Sequence, residues 1–306
     1  MDIDFTRFNE FTETFEILEL IELLFLVAIV LEAVWDIFTR RRLKGETFAN
    51  FGIAIANHLL DRTLYGLVFL LGLLIVETLI PWRIPLTGWS WALALLMADF
   101  TYYWMHRWEH EVRIFWSYHS VHHSSPEYNL TTSLRLAWIE GLVEWIFFVP
   151  MIVIGFDVVQ IIIALAVVLI YQTWIHTERV GKLGWTDHLF NTPSVHRVHH
   201  GNSSMCIDKN YGGILIVWDH LFGTYQSEDK KVTYGLTKQI GSVNPIIINF
   251  YELWQIIKDV VRSKQFSHAL AYIFGRPGWQ PGRSRKCPRV YPGLIARIVV
   301  DGTSAS

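Results

Sequence analysis

Long apolar runs, separated by short polar stretches, dominate the first half of the chain. A helix that crosses a bilayer needs about 20 mostly apolar residues, and several segments approach that length. These segments are Ile17–Phe38, Leu64–Ile80, Trp89–Met105, Trp138–Phe156 and Val158–Ile175. The pattern predicts an all-α integral membrane protein with four to five transmembrane helices. Ile246–Val261 reads instead as a surface or interfacial helix.

A basic cluster directly after the first run predicts how these helices are oriented. Arg40, Arg41, Arg42 and Lys44 place that loop in the cytosol by the positive-inside rule. Counting spans from there puts every histidine cluster on one cytosolic face. We expect one domain, in which residues 1–88 form N-terminal transmembrane segments, 89–225 a catalytic core and 226–306 a cytosolic C-terminal tail.

Composition agrees with a membrane protein and excludes some partners. Hydrophobic residues make up 52% of the chain and aromatic residues 15%, and the mean hydropathy is +0.29. These values are too apolar for an ordinary soluble domain of this length. The net charge of −2 comes with no basic arm, so nucleic acid is not an expected partner. Cys206 and Cys287 form no recognisable pair or motif and are expected to be free thiols.

Nine of the 13 histidines fall into a pattern of closely spaced clusters. On a helix, positions i, i+3 and i+4 share a face, so each cluster directs its imidazoles one way. Neutral imidazole is a common ligand of iron, copper and zinc, and nine ligands exceed one tetrahedral site. The pattern therefore predicts a di-metal site in a cytosolic cap. Its predicted ligands are His106, His110, His119, His122, His123, His176, His196, His199 and His200.

Other polar residues in or near the apolar segments are weaker candidates. Asp99 lies on the same helical stripe as His106 and His110. An acid within a membrane helix is energetically costly and is therefore a candidate for a functional role. We predict that Asp99 accepts a hydrogen bond from a ligand imidazole, or from Tyr102 or Tyr103, and thereby supports catalysis. Glu111 is a second candidate for this role. The isolated histidines, by contrast, are expected to be structural: His58, His188, His220 and His268.

The histidine boxes, in this order and with an apolar hairpin between the second and third, resemble the fatty acid hydroxylase/sterol desaturase superfamily. The strings that connect the boxes resemble those of the alkylglycerol monooxygenases within it. They include His106-Arg107-x2-His110-Glu111, His122-His123-Ser124-Ser125, Trp174-Ile175-His176-Thr177-Glu178, Asn191-Thr192-Pro193-Ser194 and His196-Arg197-Val198-His199-His200-Gly201. The similarity covers roughly residues 99–280.

The resemblance implies a non-haem centre of two iron ions that uses O2 to hydroxylate a membrane lipid. It further implies tetrahydrobiopterin as the reductant and an ether carbon as the target, whose hydroxylated product falls apart into a fatty aldehyde and a glycerol derivative. An electron-donor protein is the other possible reductant. Asn129, Tyr211 and Asp219 are candidates for the polar end of the substrate site, with a structural role equally open for each.

Alternatives remain at this point. The same centre would serve hydroxylation or desaturation of a sterol, a fatty acyl chain or a carotenoid. The string His106-x2-Glu109-His110 also fits an inverted zinc protease motif, with Glu109 as general base. Two further interpretations remain. One is a haem protein in which two histidines bind the haem iron, and the other is a protein that stores metal and is not an enzyme. Metal analysis separates them, because two irons per chain favour the oxygenase and one zinc the protease.

Overall fold

A computed structural model describes residues 5–39, 45–60 and 64–282. Over these ranges the chain forms eleven α-helices and no β-structure beyond two isolated bridges, so the all-α prediction is confirmed. The helices are α1 (Phe5–Phe38), α2 (Glu46–Leu60), α3 (Gly66–Thr78), α4 (Gly88–Glu111), α5 (Arg113–His123), α6 (Trp145–Ile154), α7 (Val158–Trp174), α8 (Pro193–His199), α9 (Val217–Phe222), α10 (Pro245–Arg262) and α11 (Phe266–Phe274). Short 3-10 turns cover Leu130–Leu134, Glu140–Leu142 and Gly184–His188.

The main hydrophobic core lies between α3, α4, α6 and α7. Ala94 and Ala98 of α4 are fully buried, and their small side chains let α7 approach closely along Ile161 and Val168. Local sequence sets the start of both long helices: Asp157 accepts a hydrogen bond from Val159 N at the start of α7, and a capping box begins α4. These two helices deliver histidines to the same end of the core.

A second core joins α2, α5 and α10 around Ile53, Val121 and Ile248. Arg135 is buried beside it, and its Nη1 donates to Glu46 Oε2 at 2.9 Å and to Asn50 Oδ1 at 2.8 Å. This buried ion pair joins α2 to the segment that follows α5. Removing either partner would leave an uncompensated buried charge.

The end of α1 is attached to two loops near the histidines. Glu32 Oε2 accepts a hydrogen bond of 2.6 Å from Leu130 N, and its Oε1 accepts one of 2.9 Å from Arg179 Nε. Asp36 also pairs with Arg179. The apolar residues of α1 away from these contacts are largely exposed.

The described helices do not bear out the sequence-based expectation of transmembrane helices. Among the described helices, none combines the length and the apolar character that a membrane crossing requires. The second and fourth predicted segments contain helices of only 13 and 10 residues, and the fifth contains one of 17. The helices α1 and α4 are longer, but they carry more polar residues.

Other sequence-based boundaries compare well with the helices. The predicted surface helix Ile246–Val261 is found as Pro245–Arg262, and α1 ends at Phe38 as expected. Trp138–Phe156, in contrast, is α-helical only from Trp145 to Ile154. The basic cluster Arg40–Lys44 and Cys287 lie outside the described residues, whereas Cys206 is a buried free thiol.

Candidate metal centre

The nine predicted ligands come from four places in the chain that the fold brings together. His106 and His110 end α4, and Val112 breaks the helix in an extended conformation before α5 begins. The helix α5 carries three more histidines, α8 and its C-cap carry another three, and His176 follows directly after α7. All nine are buried.

The imidazoles divide into two groups, each compact enough to bind one metal ion, with all candidate ligand atoms of a group within 4.8 Å of one another. One group has five members: His106, His110, His119, His123 and His199. The other has four: His122, His176, His196 and His200. Neighbouring residues His122 and His123 enter different groups, because consecutive positions on a helix point about 100° apart. The predicted set is thus brought together completely, as a pair of adjacent sites.

Within each group the ring nitrogens approach closely through Nε2. His106 Nε2 and His119 Nε2 are 3.1 Å apart, and His123 Nε2 lies 3.1 Å from His199 Nε2. In the second group, His176 Nε2 is 3.1 Å from His122 Nε2 and 3.0 Å from His196 Nε2. Each group therefore converges on one point.

Backbone carbonyls determine which nitrogen of several rings carries hydrogen. His106 Nδ1 lies 2.9 Å from Tyr211 O, His199 Nδ1 2.9 Å from Lys209 O, and His176 Nδ1 2.7 Å from Gln172 O. A carbonyl can only accept, so Nδ1 of each of these rings carries the proton and Nε2 presents a lone pair. Lone pairs directed at one another repel unless a cation lies between them. These donor sets therefore fit metal ions.

Burial keeps these rings neutral, which is the form that binds metal. It lowers the pKa of His176 to about 4 and that of His199 to about 3, well below the ordinary value of 6.5. Neutral imidazole is the metal-binding state, so no proton has to be removed from these two rings at neutral pH.

Glu109 is a site residue whose role the sequence reasoning missed. Its side chain is buried, and its Oε2 lies 3.1 Å from His119 Nδ1, with Glu140 Oε1 at 3.9 Å from the same nitrogen. Burial alone would lower the pKa of His119, but these two carboxylates raise it to about 9. A carboxylate that holds the outer nitrogen of a ligand imidazole is a common feature of metal sites. The spacing from His106 and His110 suggested only the protease motif, and no pattern in the sequence paired Glu109 with His119.

Asp99 is buried but does not contact the imidazoles as expected. Its Oδ1 accepts a hydrogen bond of 2.6 Å from Ile214 N, and its Oδ2 accepts one of 3.1 Å from Leu215 N and one of 2.8 Å from Trp218 Nε1. Asp99 therefore bonds to the loop before α9 and to Trp218 of α9, where the sequence predicts an imidazole or tyrosine partner. Asp99 acts on that loop, and any contribution to catalysis stays a prediction.

The same loop is held from its other side by Asp219. The carboxylate accepts hydrogen bonds of 2.8 Å from both Tyr211 N and Gly212 N and one of 2.6 Å from Thr224 Oγ1. Burial raises the pKa of Asp219 to about 6, although these bonds lower it in part. Since Tyr211 O orients His106, Asp219 contributes to the position of a candidate ligand.

The remaining candidates lie away from the converging nitrogens. Glu111 is half-buried and forms ion pairs of 3.2 Å with both Arg107 and Arg276, so the structure does not bring it into either histidine group. Asn129 caps the 3-10 turn that follows it. The isolated histidines, including His188 and His220, belong to neither group, as expected.

The sequence around the candidate metal centre is similar to that of known proteins. Residues 91–224 match the family model described as fatty acid hydroxylase. Alkylglycerol monooxygenase of Homo sapiens is 45% identical over 206 residues, which cover 67% of this chain and 45% of that protein. The Xenopus tropicalis protein of the same name is 41% identical over 236 residues, which cover 76% of this chain and 49% of its own length.

A more distant relative is the ornithine lipid hydroxylase OlsE of Rhizobium tropici, 29% identical over 136 residues, or 44% of this chain and 41% of that protein. The chain spans about half the length of the curated relatives it matches. No solved structure matches the chain.

Proposed function

The chain belongs to the fatty acid hydroxylase family, and from this premise we propose that it is an O2-dependent di-iron monooxygenase that hydroxylates a C–H bond of a lipid. One observation carries the proposal: five and four buried imidazoles converge through Nε2 on two adjacent points. Two adjacent buried sites suit an oxidation that needs more than one electron.

The donor set supports iron as the metal. Imidazole nitrogen binds iron well, and the rings of His106, His176 and His199 already have their ligating nitrogens unprotonated. When bound, a pair of irons supplies the activation of O2 and the transfer of an oxygen atom to carbon. The chain itself orients the rings through backbone carbonyls, and burial of all nine rings keeps bulk water from the reacting centre.

For the substrate, we propose a membrane lipid with an ether-linked alkyl chain. The names of the 38–45% identical relatives support this choice. Hydroxylation of the ether carbon would give a hemiacetal, which separates into a fatty aldehyde and a glycerol derivative. Tetrahydrobiopterin is the proposed reductant, with an electron-donor protein as the alternative.

A second candidate is hydroxylation or desaturation of another lipid, such as a sterol, a fatty acyl chain or a carotenoid. The relative named ornithine lipid hydroxylase supports this candidate, because its name gives a different lipid as the substrate. The zinc protease reading gains no support. Its general base would be Glu109, but that carboxylate lies against His119 Nδ1, and six or seven of the nine clustered histidines would have no part in a protease.

We further propose that the protein is associated with a membrane, with its metal centre facing the cytosol. Exposed apolar side chains along α1, including Leu20, Leu24 and Leu31, support contact with lipid. Multi-pass insertion stays a prediction from the sequence.

The test is metal analysis followed by a lipid assay on the purified full chain. We expect two irons per chain and O2-dependent release of a fatty aldehyde from an alkylglycerol, with reduced pterin as donor. Ferredoxin as donor, and sterol, fatty acyl and carotenoid substrates, form the comparison panel. One zinc per chain, or no oxidation of any lipid by the iron-loaded chain, would refute the proposal.

A further inference from the structure

The helix α10 exposes a continuous apolar stripe on the side opposite to its packed face. Its buried residues are Ile248, Asn249, Glu252 and Ile256. Its exposed large apolar residues are Ile246, Ile247, Phe250, Trp254, Ile257 and Val261. At about 100° per residue, the exposed set falls within one stripe about 100° wide, and the buried set lies across the helix from it. A surface helix in water normally presents polar residues there.

The next helix, α11, extends this surface. Phe266, Leu270 and Phe274 recur every four residues and are all exposed, Phe266 by 79%. Only three residues separate the two helices. The α10–α11 surface, defined by these nine exposed apolar residues, is therefore larger than the scattered apolar positions that any soluble surface carries.

Both helices are fastened to the start of the ligand helix α5. Arg113 Nε lies 3.0 Å from Glu252 Oε1, and Arg113 Nη2 lies 2.7 Å from Asp259 Oδ2. Arg113 N donates to Gly275 O, just after α11, at 2.9 Å. The surface is thus held in a fixed position relative to the histidines of α5.

These ion pairs also determine the charge that borders the surface. Both acidic residues of α10, the buried Glu252 and the half-exposed Asp259, pair with Arg113 on the side of the helix away from the apolar stripe. The basic residues near the apolar stripe are Lys258, Arg262 and Lys264, of which Arg262 and Lys264 are exposed. Lys258 Nζ lies 5.9 Å from the ring of Trp254. The edge of the surface is therefore basic.

We propose that the α10–α11 surface lies in the plane of a bilayer, with its apolar residues among the acyl chains and its basic edge on anionic headgroups. An amphipathic helix with tryptophan and leucine-like residues on one face and lysine or arginine beside it binds membranes in this way. A second copy of the chain would bring its own basic edge against the first, and the like charges would repel each other. Anionic lipid instead carries the complementary charge. The inference deepens the proposed function and rests on it, since a lipid substrate is met at a bilayer.

Spin labels on the full chain test the placement. In a Cys287→Ser background, with Cys206 buried, single cysteines replace Trp254 or Ile257, and Gln255→Cys on the polar flank of the same helix is the matched control. The chain is reconstituted with vesicles of phosphatidylcholine and phosphatidylserine. We expect the labels at 254 and 257 to collide with O2 more than with an aqueous nickel chelate, and the label at 255 to show the reverse.

A charge variant tests the lipid preference. Arg262→Gln combined with Lys264→Gln should weaken binding to vesicles containing phosphatidylserine about 25-fold, at about fivefold per basic residue, and leave binding to pure phosphatidylcholine unchanged. Equal binding of the variant and the parent to the anionic vesicles would overturn the inference.

Two label results would also overturn it: free access of the nickel chelate to positions 254 and 257, or spin–spin broadening between chains at those positions. Iron content and lipid oxidation are measured in detergent on the same preparations. If those are retained while the labels report water or a second copy, the surface assignment fails and the proposed function stands. If iron and oxidation are absent from the parent chain too, the proposed function fails.

Discussion

Glu109→Gln isolates what a single carboxylate contributes to the metal centre. The substitution keeps the size and shape of the side chain and removes its negative charge. In the parent chain, Glu109 Oε2 lies 3.1 Å from His119 Nδ1 and the side chain is 1% exposed. The negative charge beside Nδ1 favours a hydrogen on that nitrogen and leaves Nε2, which is 3.1 Å from His106 Nε2, for metal.

The expected loss follows from this geometry. Glutamine can still accept one hydrogen bond through its oxygen, but its amide group can also rotate and present a donor to the ring. Replacing a buried partner of a ligand histidine typically weakens metal affinity or activity about 10–100-fold. Because the five-histidine group retains four other imidazoles, we expect weakened binding at that group and normal binding at the four-histidine group.

The assay is iron per chain as a function of chelator concentration, together with turnover of the lipid substrate. The matched control is Glu77→Gln, since Glu77 contacts Val158 at the start of α7, whereas the metal centre lies beyond its far end. We expect Glu109→Gln to lose about one iron per chain at chelator levels that the parent and control withstand. Retention of both irons with unchanged turnover would refute the positioning role of Glu109.

Further predictions concern individual residues and pH. His176→Ala should abolish turnover and remove the iron of the four-histidine group, as measured by iron per chain; two retained irons would contradict its assignment as a ligand. Asp99→Asn places an amide against three hydrogen-bond donors, so it should lower the free energy of unfolding by about 2–3 kcal/mol, checked by denaturant titration with the parent as reference. The pKa of His119 is raised from 6.5 to about 9, so its protonated form stabilises the metal-free chain fully below about pH 6.5, and this stability is lost as the pH rises through about 9. Thermal unfolding of the metal-free chain should show that loss, and Glu109→Gln should move it to lower pH.

The clustering of eight of these histidines was predictable because it follows from local helical periodicity. A spacing of four on a helix brings two imidazoles to one face, and the pairs His119/His123 and His196/His200 each fall within one group. The clusters in α5 and α8 could therefore be identified from the sequence. The limits of α7 were also predictable, since a largely apolar run of helical length follows Asp157. In contrast, the run from Trp138 is broken by a 3-10 turn at Glu140, and its helix begins only at Trp145.

Contacts between distant segments could not be predicted. Nothing in the sequence indicated that Asp99 meets residues 214–218 rather than an imidazole, because that pairing depends on how a loop returns to α4. The pairing of Glu109 with His119 across the break at Val112 is equally a product of tertiary folding. The division of His122 and His123 between two groups required the positions of α4 and α8.

The loop from Lys209 to Tyr211 has a consequence for how this protein tolerates sequence change. It orients His199 and His106 through the main-chain oxygens of Lys209 and Tyr211, so these two contacts do not involve the side chains of those residues. What must be preserved is its path: Asn210 has a φ of 58°, and a Cβ at Gly212 would collide with Leu215 O. Selection on this part of the centre should therefore act on conformation. Substitutions at Lys209 should accumulate freely, while Gly212 should resist replacement even by alanine.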